Sequence, residues 1–326
     1  MSRILMLGGT GFVGRHITEA ALDAGHDVTI FNRGQTNADL FPGATRLTGD
    51  RDAGDLSALS TGEWDAVIDV NAYIPRRVRE AVDALEGRVG HYTFVSTVSV
   101  YESAPSGPLT ETSALGTLED PSTEEVTGAT YGPLKVACEQ VAQSAFSGRC
   151  TIIRPGIVAG PHDPTDRFTY WVRRAAQGGE MAVPGRPDQP VQVVHGRDQG
   201  DFVVKATTEG LDGAFNTIGP SQAMTLRSMV EACVEAAGSD TELVWVDEAI
   251  VAKQKATFPL YLNSRSNVDG LFQASSAKAE AAGFHNRPIL ETVADTLAWD
   301  RTRDQSTMAP GTLTPDAEAI LLAAQR

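Results

Sequence analysis

The chain has 326 residues, 41% of them apolar, enough for one large α/β domain or two lobes with a substantial core. A formal net charge of −15 argues against nucleic acid or an anionic membrane as partner, since both would repel it. No apolar stretch nears the ~18 residues that span a bilayer, and Met1 leads straight into a strand rather than a leader, so a cytoplasmic location is expected.

Arg3-Ile4-Leu5-Met6-Leu7 is an apolar run of strand length, followed at once by Gly8-Gly9-Thr10-Gly11-Phe12-Val13-Gly14. Glycines at 8, 11 and 14 allow a tight turn, close approach of backbone to a pyrophosphate, and close packing of the next helix on the strand. Residues 13–24 read as that helix, with Gly25 as its stop signal. Its free N-terminal N–H groups suit a phosphate. Asp27-Val28-Thr29-Ile30-Phe31 is the next strand and closes a βαβ unit, the placement in which a glycine triplet points to dinucleotide binding.

Further on, Asp65-Ala66-Val67-Ile68-Asp69-Val70 reads as a buried strand, residues 77–85 as a helix, and His91-Tyr92-Thr93-Phe94-Val95-Ser96 as another strand. Residues 102–128, rich in Ser, Thr, Gly, Pro and Glu without period, read as a surface loop. A helix from Tyr131 carries Leu134, Cys138, Val141 and Ala145 on one stripe, with Pro133 in its first turn. Cys150-Thr151-Ile152-Ile153-Arg154 is the strand after it. The alternation predicts a Rossmann-type, doubly wound parallel sheet with helices on both faces. Beyond Pro155 the pattern breaks into shorter elements, which suggests a smaller mixed C-terminal lobe for substrate. Val191–Val194 and Ala214–Ile218 look like strands returning to the main sheet. Residues 1–155 plus about 189–220 are therefore assigned to the dinucleotide-binding domain, and about 156–188 with 221–326 to the substrate lobe. Cys138, Cys150 and Cys233, odd in number and without metal-type spacing, read as reduced and buried. No metal site is expected from them or from the six scattered histidines.

Lys135 is the first of only five lysines, against 22 arginines, and follows Tyr131 by four residues. A Tyr-x-x-x-Lys pair would arise about 0.1 times by chance in this composition. On a helix the two side chains share a face, and a cation beside a phenol lowers its pKa, making Tyr131 a candidate proton donor and acceptor.

With these motifs the chain resembles the extended short-chain dehydrogenase/reductase superfamily, also described as the NAD-dependent epimerase/dehydratase family, and within it the reductase-like members. The resemblance rests on the glycine turn, Gly49-Asp50-Arg51, Phe94-Val95-Ser96-Thr97-Val98-Ser99-Val100-Tyr101, the Tyr131/Lys135 pair, and Arg154-Pro155 leading to Gly160-Pro161. It implies an NAD(P)-dependent oxidoreductase in which Thr97 hydrogen-bonds the substrate oxygen and Tyr131 exchanges a proton with it. Lys135 would hold the nicotinamide ribose and depress the Tyr131 pKa; bringing a phenol from ~10 to near 7 takes about 4 kcal/mol. The implied cofactor wall comprises Gly8, Thr10, Gly11, Phe12, Val13, Gly14, Asn32, Arg33, Asp50, Arg51, Asn71, Lys135, Pro155 and Ile157.

NAD-specific members carry an acidic residue at the end of the second strand, where this chain has Asn32 followed by Arg33. A neutral amide removes repulsion from a 2′-phosphate and a guanidinium can pair with it, so NADP(H) is expected over NAD(H). The Asp-Glu pair of sugar-nucleotide dehydratases is replaced by Val98 and Ser99, the family's Asn by Ile157, and its later pyrophosphate-binding Arg by Val191. These departures point away from a nucleotide sugar and towards a small carbonyl or alcohol substrate, with Tyr73, Tyr101, His162, Phe168 and Trp171 as candidate pocket residues. An epimerase that retains its cofactor is the alternative. A resemblance to chloroplast stem-loop-binding members adds a cofactor-sensing or RNA-binding role, disfavoured by acidity. Family members are often dimers through a four-helix contact, to which the helix from Tyr131 could contribute.

Overall fold

The computed structural model describes residues 1–326 except 103–107, 220–223, 265–271, 307–308 and 310. In chain order the first half comprises β1 (Arg3–Leu7), α1 (Phe12–Asp23), β2 (Asp27–Asn32), β3 (Thr45–Thr48), β4 (Trp64–Asp69), α2 (Pro75–Ala84), β5 (Val89–Val95), α3 (Tyr131–Ala145) and β6 (Cys150–Pro155). The second half follows with β7 (Ile157–Ala159), α4 (Thr169–Ala175), β8 (Glu180–Pro184), β9 (Pro190–Val191), β10 (Val193–His195), α5 (Gly196–Thr208) and β11 (Gly213–Thr217). The chain ends with β12 (Met224–Thr225), α6 (Leu226–Ala237), β13 (Glu242–Val246), α7 (Glu248–Lys253), α8 (Ala277–Ala281), α9 (Ile289–Asp300) and α10 (Pro315–Gln325).

Seven strands form one parallel sheet in the order β11-β6-β5-β4-β1-β2-β3. Ile4, Leu5, Met6 and Leu7 are wholly buried, as a central strand covered on both faces requires. On one face α1 buries Gly14, Ile17, Thr18 and Ala21, a stripe of helical spacing, and packs beside α5. On the other, α2 and α3 pack together, with Val78, Ala81, Cys138 and Ala142 in one cluster with Leu5, Val67 and Tyr92.

Two expectations need correction. The buried stripe of α3 ends on Ala142, and Ala145 is exposed, because the chain turns into the sheet at Phe146 instead. Val191–Val194 does not return to the main sheet. β9 pairs antiparallel with β12, and β10 pairs parallel with β7, so only β11 adds an edge strand beside β6. These strands are two or three residues long, and Val191, Val193 and Val194 are buried, so their apolar run reflects burial and not sheet membership. A separate apolar cluster gathers residues of α4, β8, β9, α6, α9 and α10, among them Phe168, Trp171, Met181, Val191, Met229, Val293 and Leu321. Among the described residues no helix is long and apolar enough to cross a membrane. All three cysteines are buried and unpaired with one another.

Candidate active site

A cleft of about 610 Å³ opens at the carboxyl ends of β1, β2, β4, β5 and β6, where the strand order reverses between β1 and β4. Both its place and its size suit a small ligand in an open α/β sheet. Gly8 to Gly14 form one wall. Gly8 holds φ +113°, and a Cβ there would lie 2.7 Å from Cγ2 of Val70. A Cβ on Gly14 would meet the backbone N of Gly9 at 2.9 Å, so glycine is what lets α1 start this close to the turn. Gly11, by contrast, has nothing within 4 Å of a would-be Cβ. It sits at the N-terminus of α1, whose first N–H groups receive no side-chain cap. Uncapped amides above an open glycine turn match the needs of a diphosphate, so the residues present fit a dinucleotide.

One end of the cleft is set by loops after β2, β3 and β4. Asn32 does not face the cleft freely: its Nδ2 donates to O of Gly8 and Oγ1 of Thr10, both at 3.3 Å, and its Oδ1 accepts from the Gly34 amide at 2.8 Å. Its amide braces the glycine turn. Arg33 is half exposed, with Nη1 3.7 Å from Oδ2 of Asp52. Asp50 lines the cleft and accepts from the Asp52 amide at 2.9 Å, and Asn71 lines it too. Arg51 reaches the wall but its guanidinium is committed elsewhere. It forms paired contacts to buried Asp69 at 2.7 and 2.8 Å and donates to O of Arg77 at 2.9 Å. Tyr92 completes this knot, its hydroxyl donating to Asp69 at 2.8 Å. The expectation of Arg51 as a direct cofactor ligand is therefore corrected: it supports the floor on which the ligand would rest.

At the other end the cleft is lined by Thr97, Tyr131, Lys135, Tyr73, Pro155 and Ile157. Thr97 lies two residues beyond β5 in extended backbone and accepts from the Ser99 amide at 3.1 Å, which anchors the short 3-10 turn Val98–Val100. Tyr131 opens α3, its ring 6.2 Å from that of Tyr73. Lys135, one turn later, is 3% exposed; its Nζ donates to O of Val95 at 2.7 Å and O of Ala72 at 2.9 Å and lies 4.1 Å from the Phe94 ring centre. Burial lowers its pKa to about 8.

The expected depression of the Tyr131 pKa is not found. Burial raises it, while a hydrogen bond with Thr97 and the charge of Arg167 pull weakly the other way. The physical reason is the aim of the lysine: its ammonium donates to two backbone carbonyls, and the remaining Thr97 bond and Arg167 charge do not offset desolvation of the phenolate. At neutral pH the phenol therefore keeps its proton.

Of the five candidate substrate residues only Tyr73 reaches this cleft. Phe168 and Trp171 are fully buried in the C-terminal core, where Trp171 stacks on Phe258 and donates to O of Pro259 at 3.0 Å. Tyr101 is tied to structure, accepting from Arg154 at 2.9 Å and donating to Asn216 at 2.6 Å. His162 holds φ +72° in a turn behind the glycine loop, its ring 5.4 Å from that of Trp299. Residues not anticipated line the cleft too: Asp52, Arg77, Asp163 and Arg167. Asp163 is 1% exposed. Its Oδ1 accepts from the Thr165 amide and hydroxyl at 2.8 and 2.7 Å, whereas its Oδ2 has no partner, and burial raises its pKa. Locally Asp163-Pro164-Thr165 reads only as a turn. Nothing in the spacing announces that it lines the cleft.

The model of the NAD-dependent epimerase/dehydratase family matches residues 4–219, spanning the whole sheet and the cleft. The chain is 27% identical over 252 residues to the chloroplast stem-loop binding protein of 41 kDa b from Arabidopsis thaliana, covering 72% of this chain and 63% of that protein. It is 27% identical over 277 residues to dTDP-6-deoxy-L-talose 4-dehydrogenase (NAD(P)(+)) from Kitasatospora kifunensis, covering 75% and 82% respectively. Its fold superposes on UDP-N-acetylglucosamine 4-epimerase from Bacillus cereus with a TM-score of 0.68 at 18% identity, covering 96% of this chain and 100% of that one. The glycine turn at the sheet's switch point and the family match across it lead to one conclusion: the chain belongs to the NAD-dependent epimerase/dehydratase family, whose members bind NAD(P).

Proposed function

We propose that the protein is an NADP(H)-dependent reductase or dehydrogenase acting on a carbonyl or alcohol carbon of a small substrate that is not a nucleotide sugar. The observation that carries this reading is the meeting of Thr97, Tyr131 and Lys135 on the same cleft as the glycine turn. When bound, the nicotinamide supplies or accepts the hydride. Tyr131, held protonated by burial, is suited to donate a proton to the substrate oxygen during reduction. Thr97, beside it, orients that oxygen through a second hydrogen bond. Lys135 offers an ammonium at the ribose position and keeps Tyr131's end of α3 fixed to the carbonyls of β5 and the loop after β4.

Arg33, at the end of β2 where an acidic residue would repel a 2′-phosphate, supports NADP(H). The Kitasatospora relative is named for a nucleotide sugar, but here Ile157 on the cleft wall and Val191 in the core offer no polar ligand for a second diphosphate. The Arabidopsis relative is named for stem-loop binding; a net charge of −15 opposes a polyanionic partner.

The test is a screen of carbonyl compounds that follows loss of NADPH absorbance, with Tyr131→Phe as control. Turnover should fall by roughly 10²–10⁴-fold in the variant, the usual worth of a positioned proton donor. Retained turnover in Tyr131→Phe rejects the acid. Substrate conversion without net loss of NADPH favours an epimerase over a reductase.

A further inference from the structure

At the end of the cleft remote from Tyr131, a single carboxylate lies between two guanidinium groups. Arg33 approaches Asp52 from the end of β2, Nη1 to Oδ2 at 3.7 Å, and Arg77 approaches from the first turn of α2, its Nη2 in contact with Oδ1. All three residues line the cleft. Arg77 is the better anchored arginine: its side chain is 22% exposed against 49% for Arg33, and its carbonyl accepts from the Arg51–Asp69 knot. Its Nε is buried without a hydrogen-bond partner. Asp52 is half exposed, on a turn after β3 where its backbone is held by Asp50. Exposed ion pairs of this kind are worth about 0–1 kcal/mol each, so the carboxylate can swing into water at little cost.

Asp50 lines the cleft close by, so the corner is near neutral while Asp52 is in place and gains a net positive charge when Asp52 swings away. A carboxylate and a phosphate monoester present similar pairs of oxygens to arginine, but the phosphate carries about −1.5 to −2 charges and three acceptor oxygens. We propose that Arg33 and Arg77 together form a clamp for the 2′-phosphate of NADP(H), with Asp52 as the internal counterion that this phosphate displaces. The proposal rests on reading the cleft as an NADP(H) site and extends it: Arg77 is a second phosphate ligand, and Asp52 sets the strength of the preference. With NAD(H) the carboxylate stays where it is, and neither arginine is drawn to the ligand.

The experiment is titration calorimetry on the full chain with two fragments, 2′,5′-ADP and ADP, which differ in the 2′-phosphate. The parent protein should bind 2′,5′-ADP about tenfold or more tighter than ADP, the yield of one or two charge-assisted hydrogen bonds. Arg77→Gln should lose most of that excess while changing ADP affinity by less than about twofold. Asp52→Asn should tighten 2′,5′-ADP several-fold and leave ADP unchanged. Unaltered 2′,5′-ADP affinity in Arg77→Gln, or weaker binding in Asp52→Asn, overturns the clamp. Should Arg77→Gln prove misfolded by circular dichroism, the sign of the Asp52→Asn change on its exposed turn still decides. Equal affinities of the parent for both fragments reject the clamp while leaving a dinucleotide site in place; binding of neither rejects the dinucleotide reading itself.

Discussion

Arg51 and Asp69 face each other beneath the cleft, two guanidinium nitrogens on two carboxylate oxygens at 2.7 and 2.8 Å, with Asp69 wholly buried. The contact joins the turn after β3 to the end of β4, and through O of Arg77 it also holds the start of α2. Removing one partner leaves a buried charge uncompensated. Arg51→Met should therefore cost roughly 3–5 kcal/mol in urea unfolding. A loss below about 1 kcal/mol would mean that Asp69 finds water or protonates readily, and the pair is not what holds these turns.

Gly11 and Gly14 separate ligand approach from packing. At Gly14 an alanine methyl would press on the backbone of Gly9, so Gly14→Ala should destabilise the fold by about 1–3 kcal/mol as well as weaken NADPH binding. Gly11 has φ −87° and open space around it, so Gly11→Ala should cost no more than the loss of a favoured N-cap residue, about 1 kcal/mol. Its NADPH affinity should still drop, because the methyl projects where a diphosphate would lie. Parent-like affinity in Gly11→Ala would show that no ligand approaches this turn closely.

The buried ammonium of Lys135 titrates at about 8, below the ordinary lysine value of about 10.4. NADPH affinity should accordingly weaken as pH rises through about 8, where the positive charge is lost. Tyr131, with its pKa raised, keeps its proton across that window and contributes nothing to the change. Calorimetry of Lys135→Met between pH 7 and 9 should give weaker binding without the pH dependence; a surviving break near 8 would assign it to another group.

His195 is 2% exposed, and burial with the nearby charges of Arg287, Arg197 and His16 lowers its pKa to about 2. Asp295 lies 3.3 Å from its Nε2 but is shared with Arg197 and Arg287. A folded value below the unfolded one of about 6.5 means that the unfolded chain takes up the proton first. Its contribution is whole above pH 6.5 and is lost as pH falls, by about 1.4 kcal/mol per unit well below 6.5. Unfolding free energies of His195→Gln between pH 6.5 and 4.5 should show a shallower slope than the parent, by up to one proton. Parallel slopes would locate the acid sensitivity in other groups.

How much was legible in the sequence varies with the range of the cause. The strand–glycine turn–helix unit was legible because its signals are local: an apolar run, glycines at 8, 11 and 14, and a helix start without a capping side chain. Tyr131 and Lys135 were legible as a pair for the same reason, since helical spacing puts them one turn apart. Their electrostatics were not. Whether the lysine charge reaches the phenol depends on the carbonyls of Val95 and Ala72, which belong to other elements. Likewise Phe168 and Trp171 look equally suited to line a pocket or fill a core, and only the packing of α4 against Phe258 and the C-terminal helices decides between them.

Local chemistry, written in consecutive residues, determined the βαβ start, the parallel alternation and the tyrosine–lysine turn. Tertiary structure alone decided which charges meet, Arg51 with Asp69 and Arg77 with Asp52, and brought Asp163 to the wall of the cleft. Backbone geometry is constrained by near neighbours along the chain, whereas the strength of a charge depends on burial and on partners that the fold brings from far away.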